Sequence, residues 1–148
     1  MNKKIFGLMG FLLAFGALIS SISLAAASGS ASDVSIDRVR VNGRTVAEGR
    51  TNFLFENDEF DVTVSLTAIR DVSNIRVEAI LTESSTGRTV SDSIGNFILR
   101  ANQSTLVVLN LPLINDLEDK KDFRLEIRVV DINDNKKTKS YGIRLTGD

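Results

Sequence analysis

The 148-residue chain contains no cysteine, no histidine and no tryptophan, and it has a single proline. Without cysteine or histidine it has no thiol nucleophile, no imidazole base and none of the usual zinc ligands. Any bound metal would have to be a hard ion held by oxygen atoms. The absence of cysteine also excludes disulfide bonds and an acylated lipoprotein anchor, so a folded domain must be held together by its core alone.

The chain also lacks a strong charge of either sign. Its formal net charge is −1, whereas nucleic-acid-binding domains are normally basic. We therefore expect no nucleic-acid partner. With 43% hydrophobic and 25% charged residues the composition is that of an ordinary globular protein, and the length is enough for one domain.

The first 27 residues differ from the rest. A basic MNKK start is followed by the uncharged stretch Ile5–Ala27, which ends in small residues. This pattern is typical of a secretory signal peptide, with cleavage expected after Ala27 or, as second choice, after Ala31. The uncharged stretch is also long enough to span a bilayer. The pattern favours cleavage, and an uncleaved N-terminal anchor helix is the alternative.

Both outcomes export the remainder of the chain, because Lys3 and Lys4 stay inside and residues from 34 onward go outside. We expect an extracellular or cell-surface protein that meets the membrane only through residues 5–27, if they are retained. Residues 28–33 are expected to form a short leader and residues 34–148 one domain. Removal of residues 1–27 loses two lysines and no acidic residue, which leaves 16 basic and 19 acidic residues, a net charge of −3.

Apolar and polar residues alternate with period two through most of residues 34–148, and no segment shows a helical period. Asn42-Gly43 predicts a type I′ hairpin turn, and a phase slip between Asp37 and Arg38 predicts a bulge. Pro112 should end the strand STLVVLNLP, which is apolar on both faces and expected to be covered at least partly on both. The inward positions of the clearest strands are Phe60, Val62, Val64, Leu66, Ile75, Val77, Leu81, Leu125, Ile127 and Val129.

Seven to nine short strands with turn signals about every ten residues predict an all-β fold. The expected architecture is a single immunoglobulin-like antiparallel β-sandwich, with a closed barrel as the alternative. Five segments, VRVNG, ENDEFDVTVSLTA, IRVEAIL, LVVLNLPL and FRLEIRVVD, occur in the order and spacing of a known family. Over about residues 34–146 the chain resembles exported immunoglobulin-like or fibronectin-III-like domains of archaeal or bacterial surface proteins, the archaeal ones more closely. The resemblance implies a spacer, adhesion or assembly module and no shared active site.

The stretch DINDN, at residues 131–135, resembles the run with which cadherins hold calcium. It joins the last two predicted strands, however, and Asn and Asp are favoured in such turns. Lys136 and Lys137 follow it and would repel a cation, and the other segments of a cadherin calcium site are missing. We predict a hairpin turn, no metal site and no cofactor.

Two acidic clusters and one sequon are the remaining candidates. Paired carboxylates perform acid–base chemistry only in a cleft that perturbs their pKa values, and these clusters lie in polar turns. We therefore predict that the chain is not an enzyme, with a carboxylate-based hydrolase as a remote alternative. Asn102, in NQS, is a candidate glycosylation site. The acidic residues are Glu56, Asp58, Glu59 and Asp61 in the first cluster and Asp116, Glu118 and Asp119 in the second.

One sheet face is the candidate partner surface. IRVEAILT, FRLEIRVV and KSYGIRL are expected to be neighbouring strands, and their outward residues carry four arginines and two glutamates, net +2. Arginine binds carboxylates and phosphates in bidentate fashion, so the partner would be an envelope protein or an acidic glycan. A solvated face with cross-strand Arg–Glu pairs is the alternative. The outward residues are Arg76, Glu78, Ile80, Arg124, Glu126, Arg128, Val130 and Arg144.

From these features we expect a non-catalytic extracellular or cell-surface module for adhesion, spacing or assembly. A small secreted binding or inhibitory protein that acts in solution is the alternative. Retention of residues 5–27 favours the first function, and release into the medium favours the second.

Overall fold

The structure is a computed structural model that describes residues 29–55, 59–112 and 122–146. The predicted signal or anchor segment, residues 1–27, lies outside the described residues. No helix within the described ranges is long and apolar enough to cross a membrane.

The described part of the chain is all-β, as predicted, and contains nine strands. In chain order they are β1 (Val34–Val41), β2 (Arg44–Val46), β3 (Thr51–Phe55), β4 (Glu59–Ala68), β5 (Val72–Glu83), β6 (Thr89–Leu99), β7 (Ser104–Pro112), β8 (Asp122–Val130) and β9 (Lys136–Thr146). They form a four-stranded sheet in the order β2-β1-β4-β7 and a five-stranded sheet in the order β3-β9-β8-β5-β6. Because the strands divide into two sheets, the alternative of a closed barrel is wrong.

The two sheets share one hydrophobic core, to which β1, β4 and β7 contribute from one side and β5, β8 and β9 from the other. All ten positions predicted to point inward are at most 2% exposed. The period-two alternation therefore identified the inner faces correctly, since successive strand residues point to opposite sides of a sheet. Burying a Val, Leu, Ile or Phe side chain stabilises the fold by about 1.5–3 kcal/mol. In a chain without cysteine, this core supplies the stability that disulfides provide in other exported domains.

Three local predictions are also confirmed. Asn42 and Gly43 have φ values of 48° and 77°, as a type I′ turn requires. The register between β1 and β4 shifts between Ile36 and Arg38, where the bulge was expected. Strand β7 ends at Pro112.

The pairing of β3 corrects the expectation of a purely antiparallel fold. Strand β3 runs parallel to β9, with Thr51 opposite Gly142 and Phe55 opposite Thr146. Parallel neighbours are joined by long connections rather than by a turn, so no local turn signal announces this pair. The close approach favours a glycine, because a Cβ on Gly142 would lie 3.2 Å from the Arg50 carbonyl oxygen, which is tighter than an ordinary contact.

Strand β7 corrects a second expectation. It is the edge strand of the four-stranded sheet, and its outer face is open: Leu106 is 68% and Val108 56% exposed. An apolar residue on the outer face of an edge strand gives the same sequence pattern as one beneath a covering layer, so periodicity could not distinguish the two. The edge itself is partly blocked by Asp92 of β6, whose carboxylate accepts the Asn110 N–H at 2.9 Å.

The expected leader is part of the folded body from Gly29 onward. Ser30 caps a single 3₁₀ turn, Ala31–Asp33, and Ala31 is 1% exposed. The Ala31 N–H donates to the Asp131 carboxylate at 3.0 Å. Gly29 packs so closely that a Cβ there would lie 2.6 Å from a Val72 methyl carbon. The domain therefore begins several residues before Val34.

Candidate functional site

The candidate partner surface lies on the outer side of the five-stranded sheet, where β5, β8 and β9 are neighbours as expected. Arg76 and Arg124 are exposed. Five further nominated residues are half-buried on the same side: Glu78, Ile80, Glu126, Arg128 and Arg144.

Val130 does not belong to this surface, because it is only 2% exposed. It lies opposite Arg76 in the register of β8 and β5. It also lines a depression together with Ile132 and Asp134 of the following turn. The strand end is enclosed by these neighbours, so the prediction that Val130 is an outward residue of the partner surface is wrong.

The arginines of the face are paired with carboxylates in the same sheet. Along β8, Glu126 binds Arg124 at 3.3 Å and Arg128 at 2.6 Å. On β5, Arg76 binds Glu78 at 2.8 Å. These partners are two residues apart, so they share one side of a strand. The R-x-E spacing of RVE and RLE is the sequence signal for the pairs of Arg76 and Arg124, and the reverse E-x-R spacing of EIR is the signal for Arg128. All three pairs support the solvated-face interpretation.

Arg144 has a partner that the sequence did not reveal. Its Nε and Nη2 atoms donate to the two carboxylate oxygens of Asp122 at 2.5 and 2.8 Å. These hydrogen bonds lower the pKa of Asp122 and raise the pKa of Arg144. Four arginines now face three carboxylates, so the net charge of the face is +1 rather than +2. The Arg144 guanidinium carbon also lies 5.9 Å from the ring centroid of the exposed Phe53.

An open depression of about 500 Å³ interrupts this face where β3, β9 and β8 meet. Arg50, Arg124 and Arg144 all border it, and Gly142 lies between them without a side chain. Arg50 is exposed, and its guanidinium has no ion pair among the described residues. Among the four ion pairs described above on this face, Arg124–Glu126 is the longest, at 3.3 Å. We call these lining residues the arginine depression.

The buried Tyr141 forms part of the lining of the arginine depression. Burial, and secondarily the negative charge of Glu48, raise the pKa of Tyr141 to about 12. The phenol is therefore neutral at physiological pH and adds no negative charge to the depression. The arrangement suits a carboxylate or phosphate group, for which arginine offers planar paired donors. Sequence reasoning missed Arg50 and Asp122 because neither falls on a strand that had been assigned to the face.

The DINDN stretch forms the turn between β8 and β9, as predicted. The Asp131 N–H donates to the Asn135 carbonyl at 3.1 Å and the Asp134 N–H to the Asp131 carbonyl at 3.0 Å. The buried Asp131 carboxylate accepts the N–H groups of Ala31, Asn133 and Asn135, and also the Asn135 side-chain amide. Donors surround both oxygens, so they are unavailable to a cation. No cluster of three or more acidic side chains in the described ranges could hold a metal ion.

A second buried carboxylate, Glu83, performs the same task at the turn between β5 and β6. Glu83 is 1% exposed. It accepts the hydroxyl of Thr86 at 2.5 Å and that of Ser85 at 3.2 Å. A buried acid in a cleft is a sign of catalysis, but Asp131 and Glu83 each organise a turn of the backbone.

The remaining predicted sites are the acidic clusters and the sequon. The second acidic cluster, together with Glu56 and Asp58 of the first, lies outside the described residues; Glu59 begins β4, and Asp61 is exposed on that strand. Asn102 lies in the exposed loop between β6 and β7 with φ 58°, and its N–H donates to the Ala68 carbonyl at 2.8 Å. The side chain of Asn102 is thus accessible to solvent.

No protein-family model matches the chain, and no curated protein does. Among solved structures it is similar to the crystal structure of a family 76 glycoside hydrolase from a bovine Bacteroides thetaiotaomicron strain, at a TM-score of 0.36 and 13% sequence identity. The match covers 75% of this chain and 21% of that one, so the chain spans about a fifth of the length of the matched protein.

This comparison contradicts the prediction that the chain is not an enzyme, because the matched protein is a glycoside hydrolase. We withdraw that exclusion. A likeness of this size assigns neither a reaction nor an active site to the chain. The function proposed below therefore rests on the residues of this chain alone.

Proposed function

We propose that the chain is an exported module of the cell surface that serves adhesion, spacing or assembly, and that it has an immunoglobulin-like arrangement. The strand order supports this arrangement. In immunoglobulin-like domains the first, second and fifth strands share one sheet and the third, sixth and seventh share the other. Here β1, β4 and β7 are neighbours in one sheet, and β9, β8 and β5 are neighbours in the other.

The proposed binding site is the arginine depression, and its partner carries an acidic group, as an acidic glycan or an acidic envelope protein does. The observation that carries this proposal is Arg50, an exposed cation with no ion pair among the described residues, beside Arg124 and Arg144. An incoming carboxylate would give Arg50 its partner without breaking an existing ion pair. Arg124 and Arg144 would add further guanidinium donors beside such a group.

Charge reversal tests the site. In the full-length chain, Arg50→Glu together with Arg124→Glu should reduce binding to isolated cell-envelope material several-fold, with the circular dichroism spectrum unchanged. The matched control is Arg38→Glu with Arg40→Glu, which changes the same charge on the exposed outer face of the opposite sheet. Equal binding by both double variants and the unaltered chain would reject the arginine depression as the site. Equal losses of binding in both double variants would show that the interaction depends on net charge and not on the arginine depression.

The alternative function is a small secreted binding or inhibitory protein acting in solution. It would use the same depression but would be released from the cell. The two functions differ in the fate of residues 5–27: a retained segment favours the cell-surface module, and its removal favours the soluble protein.

A further inference from the structure

Four segments come together at one end of the folded body, which we call the N-terminal end because Gly29 lies there. They are residues 29–33, 69–71, 100–103 and 131–135. Hydrogen bonds join them into one continuous surface. The first segment binds two others: the Ala31 N–H donates to Asp131 Oδ2 at 3.0 Å, and the Asp33 carbonyl accepts the Ile69 N–H at 3.0 Å. The loop before β7 is held by two more bonds, both at 2.8 Å. The Ala101 N–H donates to Asp71 Oδ1, and the Asn102 N–H donates to the Ala68 carbonyl.

Large apolar side chains project from this end. Ile132, in the turn after β8, is 71% exposed, and Ile69, in the loop after β4, is 66% exposed. Ile98, one residue before the end of β6, is 52% exposed. At the opposite end, the two turns that the structure describes, Asn42–Gly43 and Ser84–Arg88, contain no large apolar residue. Among the described turns and loops, exposed isoleucines therefore occur at the N-terminal end; a further one, Ile94, lies within β6 and is 47% exposed.

The N-terminal end is also where the uncharged stretch Ile5–Ala27 joins the body. Ala27 and Gly29 are two residues apart in the sequence, and two residues span at most about 7 Å. If that stretch crosses a bilayer, the N-terminal end must lie at the level of the lipid headgroups. Ile69 and Ile132 would then face a partly apolar medium instead of water.

The charges at this end balance. The four segments contain two basic and four acidic residues, and Lys136 and Lys137, which follow the last segment, bring the basic residues to four. Three ion pairs connect them: Arg70 with Asp33 at 3.3 Å, Arg100 with Asp71 at 2.8 Å and Lys136 with Asp134 at 3.4 Å. Attraction to the surface would therefore come from the isoleucines and the tether, and it would not depend on anionic lipids.

We propose that the N-terminal end docks on the outer surface of the membrane, with Ile69 and Ile132 seated at the lipid headgroup boundary. The proposal rests on the cell-surface function proposed above, in which residues 5–27 remain as an anchor. It goes further by defining the orientation of the body. Strand β8 begins at Asp122, far from this end, and Asp122 lines the arginine depression. Docking therefore presents that depression away from the membrane.

Docking also has a consequence for Asn102, which lies in one of the four segments. A glycan on Asn102 would stand between this end and the bilayer, so the docked chain should carry none there. The intact mass of the native protein reports this directly.

Single cysteines offer a clean test, since the chain has no cysteine of its own. Ile69→Cys and Ile132→Cys place a label at the N-terminal end, and Ser85→Cys places the matched control in an exposed turn at the opposite end. Each full-length variant is labelled with nitrobenzoxadiazole and reconstituted in phosphatidylcholine vesicles. Iodide then probes access from water, and phosphatidylcholine with a nitroxide near the headgroup probes contact with lipid.

The expected result is that labels at 69 and 132 are quenched several-fold less by iodide than the label at 85, and more strongly by the nitroxide lipid. Equal iodide quenching at all three positions in chains that float with the vesicles would overturn the docked orientation and leave the anchor intact. A chain that does not float with the vesicles would overturn the anchor and the docking together. Circular dichroism of each variant confirms that the exposed substitutions leave the fold unchanged.

Discussion

The buried Asp131 carboxylate shows how a single side chain joins the N-terminal segment to the rest of the domain. It accepts N–H groups from residues a hundred positions apart, Ala31 and Asn133 among them. A buried donor that loses its acceptor costs about 1–3 kcal/mol. Replacing this one carboxylate therefore disturbs two places at once: the turn after β8, and the attachment of residues Gly29–Asp33 to that turn.

We predict that Asp131→Ala lowers the free energy of unfolding by about 1–3 kcal/mol, since it leaves the buried Ala31 N–H and the partly buried N–H groups of Asn133 and Asn135 without an acceptor. Asp134→Asn is the control, because Asp134 is exposed, its ion pair with Lys136 spans 3.4 Å, and asparagine tolerates its φ of 62°; that change should stay within about 0.5 kcal/mol. Urea unfolding followed by circular dichroism measures both. Equal effects of the two substitutions would show that Asp131 does not hold the turn.

The same carboxylate predicts a pH dependence. Burial alone would raise the pKa of Asp131, but the hydrogen bonds from Ala31, Asn135 and Asn133 outweigh it, and the pKa is lowered from its ordinary value of 3.8. A group whose pKa falls on folding stabilises the protein above its unfolded pKa, and that stability is lost as the pH drops through the folded pKa. The unaltered chain should therefore lose stability below about pH 4, and Asp131→Ala should lose less over the same range. Parallel curves for the two proteins from neutral to acidic pH would contradict this.

Among the strands, β4 and β7 provide a matched comparison of inner and outer faces. Leu66 is fully buried, whereas Leu106, one position away in the register of the same pair of strands, is 68% exposed on the outer face. We predict that Leu66→Ala costs about 2–5 kcal/mol through lost contacts and a residual cavity. Ile127→Ala on β8 should fall in the same range.

Leu106→Ala is the control and should change stability by at most about 0.5 kcal/mol. Chemical unfolding can be followed by the fluorescence of Tyr141, the single tyrosine of a chain without tryptophan. A larger loss at Leu106 than at Leu66 would mean that the faces of these strands are assigned the wrong way round.

The turn after β8 predicts that calcium does not stabilise the domain, because N–H donors already occupy the oxygens of Asp131. A ligand that binds only the folded state contributes about 2.7 kcal/mol at a hundred times its dissociation constant. Thermal unfolding in millimolar calcium and in EDTA should therefore give the same midpoint. A midpoint several degrees higher in calcium would restore the cadherin-like interpretation.

Local patterns explain which of these elements could be predicted from the sequence. The inward row of β4, the turn at Asn42-Gly43 and the bulge near Asp37 each have a signal within a few residues, and each is present in the structure. The parallel pairing of β3 with β9 depends on residues about ninety positions apart and has no such signal. The same limit applies to the candidate site, since Arg50 reaches the sheet face only through that pairing.

The ion-pair partners of the arginines were the other feature that the sequence did not reveal in full. The sequence assigned Arg76, Arg124, Arg128 and Arg144 to one face, and the structure places them on one sheet. Their partners decide their chemistry, however, and Asp122 became visible as a partner of Arg144 only in three dimensions. Val130 was misplaced because alternation takes no account of the neighbours that close over the end of a strand.

At the scale of the whole molecule, the N-terminal end connects the fold to the proposed location at the cell surface. The described fold includes Gly29–Asp33, so cleavage after Ala31 would cut through the capped turn and remove the buried Ala31. Of the N-termini predicted from the sequence, two leave this turn intact: a retained N-terminal segment, and a start at Ser28 after cleavage behind Ala27. The exposed Ile69 and Ile132 favour retention, because in a released protein they would remain in water.

The N-terminal mass of the native chain, measured separately in the envelope fraction and the culture medium, tests the proposed cell-surface function most directly. We expect the chain in the envelope fraction with residues 5–27 still attached, because that segment would hold the body against the membrane. A chain that begins at Ser28 and is recovered from the medium would contradict the anchored module and favour a secreted protein acting in solution.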